Sequence, residues 1–462
     1  MSEKKRSIKK SNSVKSGKSD SKLIHMSKSL KVGHTRKESY NLSNAASFAN
    51  KIITNASPLI IKPKLSLDSK ELNINNEDSL SIDILKKEYS NYKIGEMSQK
   101  PFGIVKSFAF NTYSGLIKDY NEDKISVCSN IKKPFNSKSR IWPKMSYFAI
   151  FDGHGGDKCA IFLKENLLNY IIEDKNFPID IKLSLQSSIE RAENEFNKKY
   201  LNLKPDDLKN LNEKTDFSGS CALICLIVDN KIYLCNIGDS RAIMSMENGS
   251  KFRPLTIDHK PNNPKEYERI IKNGGKVYID NDEPIRDVNN LKFINNEKEF
   301  DNYVNDDVIY RIYPSDLSVS RTIGDPKVKL KNLGGFNNQI IFNPEIFTFD
   351  ISNSCDFIIL GCDGIFDNLK NNEIIDCAWF AIQNTDKERK NDINLVTLDI
   401  CNMVIKNAMD KMSGDNLSVI VIGLEGLEKY INNKMLKQKV GNMFKDGKKW
   451  NFICLYKKGF KI

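Results

Sequence analysis

Histidine is scarce in this chain. Four occur in 462 residues, and only His154 and His259 lie outside the first 40 positions. A zinc centre built on imidazoles is thereby excluded as the organising chemistry. Runs of 18 apolar residues are absent too. The densest stretch, Cys221-Ala222-Leu223-Ile224-Cys225-Leu226-Ile227-Val228, suits a strand and is too short to span a bilayer. The first residues show no hydrophobic signal-peptide core. Ser2 stands where N-myristoylation needs glycine, so an intracellular protein, cytoplasmic or nuclear, is the expectation. The ten cysteines include no CxxC pair. Cys225, Cys235 and Cys362 sit inside apolar runs and read as buried, reduced thiols in a reducing compartment. No internal repeat is present.

What is there is enough for a sizeable core: 40% of the residues are hydrophobic and 9% aromatic. The net charge of +12 is unevenly placed. Residues 1–40 carry a net of +9 and residues 426–462 a net of +8, which leaves −5 for residues 41–425. The chain reads as a mildly acidic body with two basic tails, so specific nucleic-acid binding is not expected of the body. Residues 1–45 form a Ser/Lys-rich tail with the composition of disorder, and 46–98 a linker or packing extension. The C-terminal pattern KMLKQKVGNMFKDGKKWNFICLYKKGFKI mixes aromatics with lysines. It suits either an anionic membrane surface or other acidic partner, or a helix packed on the body with its lysines in water.

From about residue 102, strand-like runs recur at 103–110, 124–128, 146–151, 221–228, 231–237, 241–246, 356–361 and 417–424. Helical periodicity falls at about 157–173, 180–200, 264–273, 372–383 and 394–411. Short turns such as Asp229-Asn230 separate several strands, which favours antiparallel sheets covered by helices over strict βαβ alternation. Residues 280–312 are polar and strand-poor, and read as an insertion or mobile loop.

A set of carboxylates shares one local pattern: each lies beside a glycine or at the edge of a hydrophobic run. They are Glu122-Asp123 in NED, Asp152 in FDGHGG, Asp239 in IGDSR, Asp363 and Asp367 in LGCDGIFD, and Asp415 in GDN. A strand end fixes a carboxylate, and an adjacent glycine permits close approach and can expose a carbonyl. Converging carboxylates repel one another, and a hard divalent cation resolves the conflict; Mg²⁺ and Mn²⁺ favour such oxygen ligands. Any one Asp-Gly is ordinarily a turn, so the argument rests on the number and order of these elements.

That ordered set, NED, FAIFDGHGG, SGSCALICLI, NIGDSRAI, LTIDHKP, LSVSRTIGD, FIILGCDGIFD and DNLSVIVI, closely resembles the metal-dependent protein serine/threonine phosphatases of the type 2C family over about residues 102–425. The resemblance implies an α/β (α+β) fold, two stacked antiparallel β-sheets flanked by α-helices, with a metal cleft at one edge. The catalytic domain would occupy 99–425, with 280–313 as its flap.

Carried over by motif, Asp152 would bridge two Mg²⁺ or Mn²⁺ ions. The Gly153 carbonyl and Asp123 would complete one metal's protein ligands, Asp363 and Asp415 would hold the other, and Glu122 would act through metal-bound waters. Asp239 with Asp363 looks like the family's weaker third site, with Asp367 as a further candidate. Water activated by the metals would hydrolyse phosphoserine and phosphothreonine without a phosphoenzyme. His154 would protonate the departing alkoxide.

The family's usual phosphate-gripping arginine is replaced by Lys118, which keeps the charge and loses the bidentate fork. Cys221 stands where many members have threonine, and is expected to pack beside the site. DHKP (258–261) and LSVSRTIGD (317–325) are assigned no chemistry. Cys235 and Arg241 have CxxxxxR spacing, but no histidine precedes the cysteine and its apolar run marks the spacing as accidental.

The expected protein is therefore an active phosphoprotein phosphatase, with phosphoproteins as partners and a monomeric state. The alternatives are a catalytically weak or dead phosphoprotein-binding scaffold, against which the retained Asp123, Asp152, Asp363 and Asp415 argue, and a hydrolase of small phosphate esters.

Overall fold

The computed structural model describes residues 94–434 apart from 136, 138, 204–215, 281–291, 295–307, 337 and 387. The basic tail at 1–45, most of the linker and the lysine-rich segment from 435 onward lie outside the described residues.

The described part begins with β1 (Glu96–Met97), β2 (Ser107–Tyr113), β3 (Lys124–Cys128), β4 (Met145–Phe151) and the two-residue β5 (Gly153–His154). Helices α1 (Lys158–Glu173) and α2 (Ile181–Asn197) follow, then β6 (Gly219–Ser220), β7 (Ala222–Val228), β8 (Lys231–Ile237), β9 (Arg241–Met246) and β10 (Lys251–Pro254). Next come α3 (Pro264–Lys272), β11 (Lys276–Ile279), β12 (Lys292–Ile294), β13 (Tyr310–Tyr313), β14 (Ile323–Gly324) and α4 (Pro326–Lys329). The last stretch holds β15 (Glu345–Asp350), β16 (Cys355–Gly361), α5 (Asp363–Phe366), α6 (Asn371–Asn384), α7 (Ile393–Asp410), β17 (Leu417–Gly423) and α8 at 425–434.

Two antiparallel sheets dominate. One has the order β1-β2-β17-β16-β9-β10 and the other β15-β8-β7-β4-β3. Strand β4 shows how they stack. All seven of its residues are buried, because both of its faces are covered. Phe148 and Ile150 join the core that also contains Ile359 and Val421 of the opposite sheet, while Tyr147, Ala149 and Phe151 point into a second core with Leu163, Leu167 and Ile189 of α1 and α2. Helices α6 and α7 cover the outer face of the six-stranded sheet through Trp379, Ile400 and Val404. The result is the helix-sheet-sheet-helix order expected from the sequence.

Helix starts follow local chemistry. The Asp180 side chain accepts from the Leu183 amide at 3.0 Å, and Asn263 accepts from the Lys265 amide ahead of Pro264.

Three expectations change. The run at 103–110 becomes strand only from Ser107, because Phe102 and Val105 pair with each other in a tight turn first. Residues 280–312 are not strand-poor throughout: β12 and β13 flank β11 in a three-stranded sheet under α3, burying Tyr267, Ile270, Val277 and Ile312. Its strands are only three or four residues long, too short for a period to stand out. Finally, the body does not stop at 425, since α8 buries Leu427 and Ile431 in the main core.

Candidate metal centre

The register of the strands brings the carboxylates together. Lys124 of β3 pairs with Phe151 of β4, so Asp123 and Asp152 emerge side by side. Ile150 pairs with Leu223 and Ala222 with Ile237, which carries Asp239, two residues past β8, to the same end. In the other sheet Gly361 pairs with Val419, placing Asp363 just after β16 and Asp415 just before β17 at one end. Carboxylate oxygens of Asp152, Asp239 and Asp363 all lie within 4.8 Å of one another.

The electrostatics are those of unneutralised negative charge. Burial, and then the Asp363, Asp123, Asp239 and Asp415 carboxylates, hold Asp152 well above the usual carboxylate range. Asp363 is raised in the same way, by burial and then by Asp239, Asp367 and Asp415. Burial pushes Asp123 up to about 6, with Ser418 and Cys362 partly offsetting it. Asp239 is also pushed up to about 6, chiefly by burial, with the Lys260 ammonium opposing the shift. Asp123 Oδ2 and Asp152 Oδ2 are buried without a hydrogen-bond partner. Two orphaned anionic oxygens beside a cluster of carboxylates fit a hard divalent cation, which would take both as ligands.

Close backbone approach builds the cradle. A Cβ on Gly153 would lie 2.6 Å from the Glu122 carbonyl oxygen, and one on Gly364 only 2.1 Å from the Asn416 carbonyl oxygen. Gly155 and Gly156 take φ of 64° and 124°, conformations that favour glycine, and turn the chain into α1. The Gly156 amide donates to Glu122 Oε1 at 2.7 Å, so the turn itself fixes Glu122. Cys221 packs beside Asp239, its Sγ 3.5 Å from Oδ1, as expected of that position.

Lys118 is at the rim, its Nζ 3.0 Å from Asp415 Oδ1 and 3.7 Å from Glu122 Oε2. It therefore faces the carboxylate cluster. Asp367 is ion-paired to Lys260 of the DHKP segment at 2.5 Å. Cys235 is fully buried in β8, and Arg241 grips Asp258 through two nitrogens at 3.0 and 2.6 Å, so this cysteine and arginine do not form a phosphate loop.

Sequence reasoning missed two residues. Asp325 holds the His154 ring, with Nε2 2.9 and 3.0 Å from its carboxylate oxygens. Asn416 accepts from the Glu122 amide at 2.8 Å and donates to the Ser114 and Tyr120 carbonyls. Asp325 ends the LSVSRTIGD run, and Asn416 follows Asp415 directly, so both lay inside segments already singled out.

A family model for protein phosphatase 2C matches residues 113–417. A probable protein phosphatase 2C 57 of Oryza sativa subsp. japonica is 29% identical over 302 residues, 65% of this chain and 68% of that protein. Human protein phosphatase 1A is 32% identical over 282 residues, 60% of this chain and 62% of that protein. A crystal structure of a phosphatase from a pathogenic strain of Toxoplasma gondii, 19% identical, aligns over 70% of this chain and 94% of that chain with a TM-score of 0.49. The family match spans every carboxylate of the cluster, and the chain belongs to the protein phosphatase 2C family, the metal-dependent protein serine/threonine phosphatases.

Proposed function

We propose that the phosphatase chemistry of this family is carried here by Asp123, Asp152, the Gly153 carbonyl, Asp363 and Asp415 as ligands of two Mg²⁺ or Mn²⁺ ions, with Asp239 at a weaker third position. The observation that supports this is the meeting of Asp152, Asp239 and Asp363 within 4.8 Å beside two unpartnered buried carboxylate oxygens. Bound there, such ions supply a water of lowered pKa and offset phosphoryl charge.

The chain's own residues supply the rest. Glu122, fixed by the Gly156 amide and the Tyr120 hydroxyl, orders solvent at the rim. Lys118 presents an ammonium to the phosphate of the substrate. His154, oriented by Asp325, delivers the proton that the serine or threonine alkoxide needs on leaving. The substrates are phosphoproteins. The basic tails are the surfaces for acidic partners or an anionic membrane.

The scaffold reading is not favoured, since no aspartate of the cluster is lost. The test is hydrolysis of a phosphopeptide with Mn²⁺ or Mg²⁺, with EDTA, and by Asp152→Ala. Metal-dependent turnover lost in the variant is expected; turnover that survives chelation overturns the assignment.

A further inference from the structure

The position of Lys118 carries more than a phosphate contact. The turn that bears it is bolted to the segment carrying Asp415. Asn416 Nδ2 donates to the Ser114 carbonyl at 2.8 Å and the Tyr120 carbonyl at 3.2 Å, while Asn416 Oδ1 accepts from the Glu122 amide at 2.8 Å. Gly115, at φ 82°, lies so close to the Asp415 backbone that a Cβ there would sit 2.1 Å from its carbonyl oxygen. The backbone segments bearing Lys118 and Asp415 are thus held together, and the Lys118 ammonium lies 3.0 Å from Asp415 Oδ1.

Asp415 Oδ1 accepts from Lys118 and also from the Asn416 amide at 2.6 Å. A carboxylate already neutralised by an ammonium is a poorer ligand for a divalent ion, and the ammonium repels that ion. An arginine could spread its five donors over two acceptors; lysine is a point charge that serves one place at a time.

We propose that Lys118 is an internal competitor for the cation at Asp415, so that metal binding and the grip on phosphate are coupled through one side chain. The inference rests on the assignment of Asp415 as a metal ligand and of Lys118 as the phosphate contact. A divalent ion at Asp415 releases Lys118 toward an incoming phosphate, and a phosphate that draws Lys118 away leaves Asp415 a better ligand. Coupling of this kind is reciprocal.

The test is isothermal titration calorimetry of Mn²⁺ into the full chain, with and without inorganic phosphate, for the wild type, Lys118→Met and Lys118→Arg. Lys118→Met should bind Mn²⁺ roughly three- to tenfold more tightly than wild type when phosphate is absent. The strengthening of Mn²⁺ binding by phosphate should be smaller in that variant. Lys118→Arg, which keeps the positive charge, should bind Mn²⁺ alone about as the wild type does, with a smaller strengthening by phosphate because its fork can reach both acceptors at once. Circular dichroism of each variant checks the fold. Unchanged Mn²⁺ affinity in a folded Lys118→Met overturns the competition while leaving the metal centre intact. Failure of the wild type to bind Mn²⁺ overturns the metal-centre reading and this inference together.

Discussion

His154 and Asp325 are 171 positions apart in the chain, yet His154 Nε2 lies 2.9 Å from Asp325 Oδ2. Asp325 reaches it from the left-handed region, at φ 53°, and Gly219 makes room for both. A Cβ on Gly219 would fall 2.0 Å from Asp325 Oδ2 and 2.4 Å from His154 Nε2. Burial is the largest single influence and pulls the imidazole pKa down, but the Asp325 carboxylate, with Asp239 and Glu122 adding to it, makes the net shift upward. For Asp325 burial is the largest single influence and pushes the pKa up, but His154, with the Lys329 ammonium and the Thr322 hydroxyl, makes the net shift downward.

These signs define a window. A raised histidine stabilises the fold below its ordinary pKa, and that contribution is lost as pH rises through the raised value. A lowered aspartate stabilises above its ordinary pKa and loses the contribution as pH falls through the lowered value. Asp325→Asn should therefore destabilise the protein by about 2–4 kcal/mol near pH 6 and by clearly less near pH 9. Urea denaturation at the two pH values measures this; equal losses would show that the pair is not charged.

The same pair predicts a leaving-group effect. His154→Ala should lower turnover of alkyl phosphoesters by about 10²-fold or more and of p-nitrophenyl phosphate far less, because nitrophenolate leaves without a proton. Gly219→Ala, which displaces the pair, should follow the same pattern while the protein stays folded. Steady-state kinetics on both substrates decides it, and equal losses on the two would remove the acid role.

The carboxylate cluster sets stability against function. A carboxyl whose folded pKa lies above its unfolded one destabilises the fold when ionised, and that cost is relieved as pH falls. Asp123 and Asp239, at about 6, give the window. In EDTA, Asp152→Asn should raise the Tm by roughly 2–6 °C at pH 8, with a smaller gain at pH 5. It should also abolish the Tm increase that Mn²⁺ produces in the wild type. Thermal melts with and without Mn²⁺ test this. A lower Tm for the variant at pH 8 would count against a repulsive cluster.

Cys235 offers the counter-test for covalent chemistry. It is fully buried, and burial pushes its thiol well up from the ordinary range. Cys235→Ala should cost about 1–2 kcal/mol of stability and leave kcat within about twofold, since the residue touches no reacting group. A large loss of kcat in a folded variant would revive a cysteine nucleophile.

Most of the fold was legible because its main elements are strongly patterned. Alternation or continuous apolar runs marked β3, β4, β7, β8, β9, β16 and β17 to within a residue or so, and apolar periodicity did the same for α1, α3, α6 and α7. The small sheet of β11, β12 and β13 was not legible. Its strands are three or four residues long, and their pairing partners decide their structure more than their composition does. The carboxylates were legible as a set because each stands at the end of a strand or beside a glycine. Their mutual distances were not, since these depend on strand register.

By itself, then, the sequence determined where strands end, which carboxylates stand at those ends, and which glycines allow backbones to touch there. These features are written within a few neighbouring residues, and apolar burial enforces them. Only the tertiary structure decided that His154 is held by Asp325, that Asn416 joins the Ser114–Glu122 turn to Asp415, and that Lys118 leans on Asp415. Each is a contact between segments about 170 to 300 positions apart. Such contacts follow from how two sheets and their ends pack together, which no local pattern encodes.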